Sequence, residues 1–130
     1  MKILLDTNAL IWLISGAESR LLGPRSLAQL KEADAVYVSS ISILEIRIKT
    51  MLGKLESGDD LVVDIAEAGL KELPFDASHA DAIRNFPNVA KHDPFDRMLI
   101  AQALIEGMTL LTSDATVLGL NLHFTANARG

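Results

Sequence analysis

The chain has no cysteine, four prolines, 5% aromatic residues and no excess of basic charge. Without cysteine it can form neither a disulfide nor a thiolate ligand, which excludes zinc-ribbon and cysteine-nucleophile chemistry and suits the cytoplasm. Its longest uninterrupted apolar run, residues 9–14, falls far short of the roughly 20 residues that cross a bilayer. Only three apolar residues follow Met1-Lys2, so neither a signal peptide nor a membrane anchor is expected. A net charge of −5 argues against gripping nucleic acid mainly through a basic surface. If four acids share one cation-binding pocket, however, the rest of the molecule is nearly neutral. The scarcity of aromatics leaves little for base stacking, so any selectivity toward single strands has to come from groove shape and a few polar contacts.

With 130 residues, 49% of them hydrophobic, the chain suits one core and is too short for two, so a single domain over residues 1–130 is expected. There is no internal repeat, low-complexity tract or Gly/Ser linker. Short apolar runs alternate with longer helical segments, the pattern of βαβ units around a parallel sheet, and the fold class is α/β. Lys2-Ile3-Leu4-Leu5 is a first strand, apolar enough to be covered on both faces. A helix over residues 9–15 follows, and Gly23-Pro24 opens a second, proline being tolerated at the first helical position. Residues 35–38 form the second strand. Ser42 begins a helix to about Leu52, with Leu44, Ile48 and Leu52 at i, i+4 along one face. Asp59 or Asp60 caps another helix, ended by Gly69. Leu73 and Phe75 mark an irregular third strand around Pro74, and residues 76–85 a brief helix. A loop over residues 86–92 leads to a helix opened by Asp93-Pro94 and closed by Gly107. Residues 109–112 form the next strand, 120–124 an edge strand, and 125–130 a loose tail.

Placing the acids on this map brings out a pattern. Asp6 follows the first strand, Asp114 follows the strand at Leu110-Leu111, and Glu45 and Asp96 fall in the first turns of their helices. In a parallel sheet, strand carboxyl ends and the amino ends of the following helices share one edge, so four carboxylates converge there. Like charges a few ångströms apart repel, and a hard divalent cation is the natural compensation. Such an ion activates water and stabilises charge on a phosphate, which points to phosphodiester hydrolysis. Each acid also has a local explanation: Ser42 to Glu45 fits a capping box, Asp93 and Asp96 an N-cap and first-turn acid, Asp6 a turn, and Asp114 a cap over residues 115–118. Capping does not by itself predict that all four share one edge.

The stretches Leu4-Leu5-Asp6-Thr7-Asn8, residues 39–46 around Glu45, His92-Asp93-Pro94-Phe95-Asp96-Arg97 with Ile100-Ala101-Gln102-Ala103, and Leu110-Leu111-Thr112-Ser113-Asp114 resemble the PIN-domain nucleases, specifically the VapC-like toxins of VapBC toxin–antitoxin modules. The resemblance runs in family order from Met1 to about Leu118. It implies a three-layer sandwich with a central parallel sheet of about five strands. It also implies Mg²⁺, with Mn²⁺ as the alternative ion, held by Asp6, Asp96, Glu45 and Asp114 as the catalytic acids. Asp6 and Asp96 would be the firmest ligands, with Asn8 and Thr112 orienting the carboxylates by hydrogen bonds. The implied activity is endoribonuclease cleavage of RNA by a homodimer that a small antitoxin inhibits.

His92 invites a metal or general-base reading, although a locally bonded loop histidine is the ordinary case; His79 and His123 have no acidic neighbours in sequence that suggest a site. Arg97 is a candidate phosphate contact beside Asp96, or a helix-surface partner of Asp93. Arg47 and Lys49 divide in the same way between a solvated face and RNA contact. Trp12 belongs to the core or a dimer contact, and the aliphatic residues of the 42–52 and 60–68 helices exceed what one core needs, hinting at a partner surface. Two other readings compete. A haloacid-dehalogenase-like phosphatase also begins with an aspartate after strand one but needs a second acid where Asn8 stands. A non-catalytic binding module on the same fold predicts that removing the acids leaves its activity intact.

Overall fold

The computed structural model describes residues 1–16, 18–56, 58–87 and 93–130. Five strands, β1 (Lys2–Leu5), β2 (Ala35–Ser39), β3 (Lys71–Leu73), β4 (Thr109–Thr112) and β5 (Thr125–Asn127), form one sheet in the order β3-β2-β1-β4-β5. Every pairing is parallel, with Leu4 opposite Tyr37 on one side and Leu110 on the other. The α/β sandwich expected from the sequence is the architecture found.

Successive strand side chains point to opposite faces, and β1 buries both sets. Ile3 and Leu5 pack with Leu10, Trp12, Ile46, Leu61 and Ile65, whereas Leu4 packs with Leu99, Ile100, Leu110 and Val117. The first group comes from α1 (Thr7–Ile14), α3 (Ser40–Met51) and α4 (Leu61–Glu67), with Leu30 of α2 (Pro24–Glu32) partly buried against it. The second comes from α6 (Pro94–Glu106), α7 (Ala115–Gly119) and, through Leu110, the neighbouring strand β4. The sheet is therefore the middle of three layers. The remaining helix, α5 (Ala77–Ala82), lies against α6. His79 joins the two: its ring is buried, Nδ1 accepts from the Asp76 amide at 3.0 Å, and Nε2 lies 2.9 Å from the Glu106 carboxylate. Acids therefore flank His79 on both sides, Asp76 from three residues earlier and Glu106, which the sequence could not place, from another helix.

Several boundaries differ from expectation. Helix α3 starts at Ser40, capped by the Ser39 hydroxyl, which accepts from the Ile41 amide at 3.0 Å. Glu45 therefore sits in the second turn and forms no capping box with Ser42. The third strand ends at Leu73, before Pro74, because proline cannot donate to the ladder. The last strand is residues 125–127, not 120–124, and the expected loose tail is tied down. Gly23 N–H donates to Ala128 O at 2.9 Å, and Arg25 N–H donates to Gly130 O at 3.0 Å. A Cβ on Gly23 would lie 1.9 Å from Gly130 O, so only glycine fits there. The Arg129 guanidinium lies 5.3 Å from the centre of the Trp12 ring, which belongs to the core.

Arg47 donates to the carbonyls of Gly58 and Asp59 at 3.2 and 3.3 Å, securing the connection to α4. The stripe at Leu44, Ile48 and Leu52 faces solvent together with Met51, and α4 exposes Val62 and Val63. The core side of α3 is instead Ile41, Ser42, Glu45 and Ile46. Among the described residues no helix is long and apolar enough to cross a membrane.

Candidate active site

At the carboxyl edge of the sheet a cleft of about 170 Å³ is lined by Asp6, Glu45, Asp96 and Asp114, the four acids singled out above, together with Asp93. Thr7, Asn8 and Lys49 complete its wall.

Asp6 directly follows β1, and its backbone N–H continues the sheet by donating to Leu111 O at 3.0 Å. It caps α1, Oδ1 accepting from the Ala9 amide at 2.7 Å. Oδ2 accepts from the Thr112 hydroxyl at 2.8 Å and the Ser113 amide at 3.2 Å. A carboxylate has about four acceptor positions, so a side chain held by three donors keeps capacity toward the cleft. Burial pushes the Asp6 carboxyl above its ordinary range; the Ala9, Thr112 and Ser113 donors oppose that shift, and the neighbouring Glu45 charge adds to it. Asp6 is thus an immobilised carboxyl whose negative charge is costly without a nearby cation.

The Thr112 hydroxyl also accepts from the Asp114 amide at 3.1 Å, so one side chain positions the carboxyl of Asp6 and the backbone of Asp114. Asp114 caps α7 through the Val117 amide at 2.9 Å. Asp93 caps α6 through the Phe95 amide at 2.8 Å, and Asp96 follows in the first turn. The capping explanation therefore holds for Asp6, Asp93 and Asp114, yet these caps stand on one cleft.

Glu45 departs from that account. It is buried, and its Oε1 accepts from the Thr7 hydroxyl at 2.7 Å, with Ser42 Oγ 3.1 Å from the same hydroxyl. Its Oε2 accepts from Lys49 Nζ at 2.6 Å, one turn further along α3. Thr7 and Asp93 were not singled out as site residues from sequence, and Lys49 only as a divided candidate for RNA contact. The Thr7 hydroxyl's role depends on which helix faces which, whereas the capping signal of Asp93 and the i, i+4 spacing of Glu45 and Lys49 were present in the sequence. Asn8 is exposed on the cleft rim. Arg97 N–H donates to Asp93 O at 3.3 Å, but among the described residues no ion pair joins the two side chains, and Arg97 Nε is buried without a hydrogen-bond partner. His92 lies outside the described residues.

As the side chains stand, no group of three or more His, Asp or Glu among the described residues is placed to hold a metal ion. The donor set nevertheless fits Mg²⁺. It consists of hard carboxylate oxygens, and Mg²⁺ keeps several waters and commonly takes only one or two carboxylates besides substrate phosphate.

The PIN domain family model matches residues 3–118. Solved structures with the same fold include VapBC2 from Rickettsia felis bound to a promoter DNA fragment, at 16% identity and TM-score 0.70 over 98% of both chains. VapBC-1 from nontypeable Haemophilus influenzae matches at 18% identity and TM-score 0.70 over 100% of both chains. FitAcB from Neisseria gonorrhoeae matches at 24% identity and TM-score 0.65 over 97% of both. No curated protein matches the chain in sequence.

Proposed function

The chain belongs to the PIN domain family, and from that premise we propose that it is a divalent-cation-dependent endoribonuclease, the toxin of a toxin–antitoxin pair. The observation that carries the reading is the fixed, buried Asp6 carboxyl facing Glu45, Asp96 and Asp114 across one cleft. Asp6 and Asp96 are the first choice of ligands for Mg²⁺, or Mn²⁺ in its place, with Glu45 and Asp114 completing the set directly or through water. When bound, the ion supplies an activated water and stabilises charge building on the scissile phosphate.

The chain's own residues do the rest. Ala9, Thr112 and Ser113 hold Asp6 in one orientation, and Thr7 holds Glu45. The amino end of α6, where Asp96 sits, favours anions and suits an incoming phosphate, with Arg97 as a candidate contact and Asn8 on the rim. On this reading residues 1–130 act as one cytoplasmic domain and assemble as a homodimer. A small antitoxin then inhibits it with a tail in the toxin's groove, and the exposed apolar face of α3 is a candidate surface for the same partner. The family match displaces the phosphatase reading.

The test is cleavage of end-labelled RNA by purified protein with Mg²⁺ or Mn²⁺, beside Asp6→Asn, Asp96→Asn and EDTA. Loss of cleavage by at least about 100-fold in each arm, the scale of removing a charge-stabilising group, is the expected result. If folded wild type and variants behave alike, the catalytic reading fails and the binding-module reading replaces it.

A further inference from the structure

Lys49 is the one cation among the described residues lining the cleft. Its place there is built rather than incidental. The ammonium lies 2.6 Å from Glu45 Oε2, on a carboxylate whose side chain is only 8% exposed and whose other oxygen is already taken by Thr7. An ordinary i, i+4 pair lies on the solvated face of a helix and contributes little. This pair faces the cleft, and the Lys49 side chain is 43% exposed. The lysine thus supplies positive charge to a nearly desolvated carboxylate on the same wall as Asp6, whose negative charge burial disfavours.

We propose that Lys49 is the second cation of this site: it holds Glu45 where a second divalent ion would otherwise be needed, so that the cleft takes up one divalent ion per chain. The inference rests on the metal-dependent reading above and deepens it. Glu45 then acts as the fixed partner of an ammonium and meets the ion through water, leaving direct ligation to Asp6, Asp96 and Asp114. In this role Lys49 is a positioning residue that acts through Glu45.

The experiment counts Mn²⁺ bound per chain by electron paramagnetic resonance and calorimetry. It uses wild type, Lys49→Met, the uncharged hydrogen-bonding variant Lys49→Gln, and the charge-conserving Lys49→Arg, each checked for folding by circular dichroism. Wild type and Lys49→Arg are expected to bind one Mn²⁺. Lys49→Met and Lys49→Gln are expected to bind a second ion, or to bind the first about tenfold tighter, the scale on which one nearby charge shifts such an equilibrium. Two ions on wild type, or unchanged stoichiometry and affinity in both uncharged variants, overturns the proposal and leaves the metal-dependent reading standing. Failure of wild type to bind Mn²⁺ at all removes that reading and this inference together.

Discussion

Asp6 carries opposing demands in a single side chain. Burial raises its pKa, so the folded protein binds the Asp6 proton more tightly than the unfolded chain does. Above the folded pKa the ionised carboxyl therefore subtracts stability, and this cost disappears as pH falls through that value toward the ordinary 3.8. Asp6→Asn, uncharged throughout, should melt about 2–5 °C above wild type at pH 7 in EDTA, a gap of the size that ~1 kcal/mol produces in a domain of this length. The gap should close at acid pH. Thermal unfolding at both pH values decides it, and a variant less stable at pH 7 would show that the hydrogen bonds from Thr112 and Ser113 outweigh the charge. The acids themselves were legible in the sequence because strand ends and helix starts can be located and share one edge. The groups that hold them were not. Thr7 reaches Glu45 across two helices, and Ser39, Ser40 and Ser42 offer competing caps for α3, of which the structure uses Ser39.

Among the elements, the central strands and long helices were readable because their burial is strong and periodic, and the edge strands were not. Lys71–Leu73 and Thr125–Asn127 are three residues each and largely polar or exposed, as edges that discourage further pairing tend to be. Periodicity also identified the apolar stripe of α3 without revealing that it faces solvent, since spacing marks a face and not what covers it. His79 links α5 to the Glu106 carboxylate of α6. Replacing His79 with Leu leaves the Asp76 amide and the Glu106 carboxylate without this partner, at an expected cost of about 1–3 kcal/mol in urea unfolding. A negligible cost would mean that packing alone joins the two helices.

For the whole molecule, folding and ion binding are linked, because the acids meet only when β1, β4, α3 and α6 are assembled. An ion that binds only the native state adds about 2.7 kcal/mol at a concentration 100 times its dissociation constant. Mg²⁺ should therefore raise the melting temperature of wild type and fail to raise that of Asp6→Asn. An equal shift in both would place the ion elsewhere on the surface.

The all-parallel sheet also governs when the site comes into being during synthesis. Asp6 is made more than 100 residues before Thr112 and Ser113, two of the three groups that hold its carboxyl. A nascent chain cannot close β4 against β1 until residues 109–112 have left the ribosome, and such long-range parallel pairing is intrinsically slow. The assembled cleft is thus withheld from a nascent chain until β4 has emerged to pair with β1.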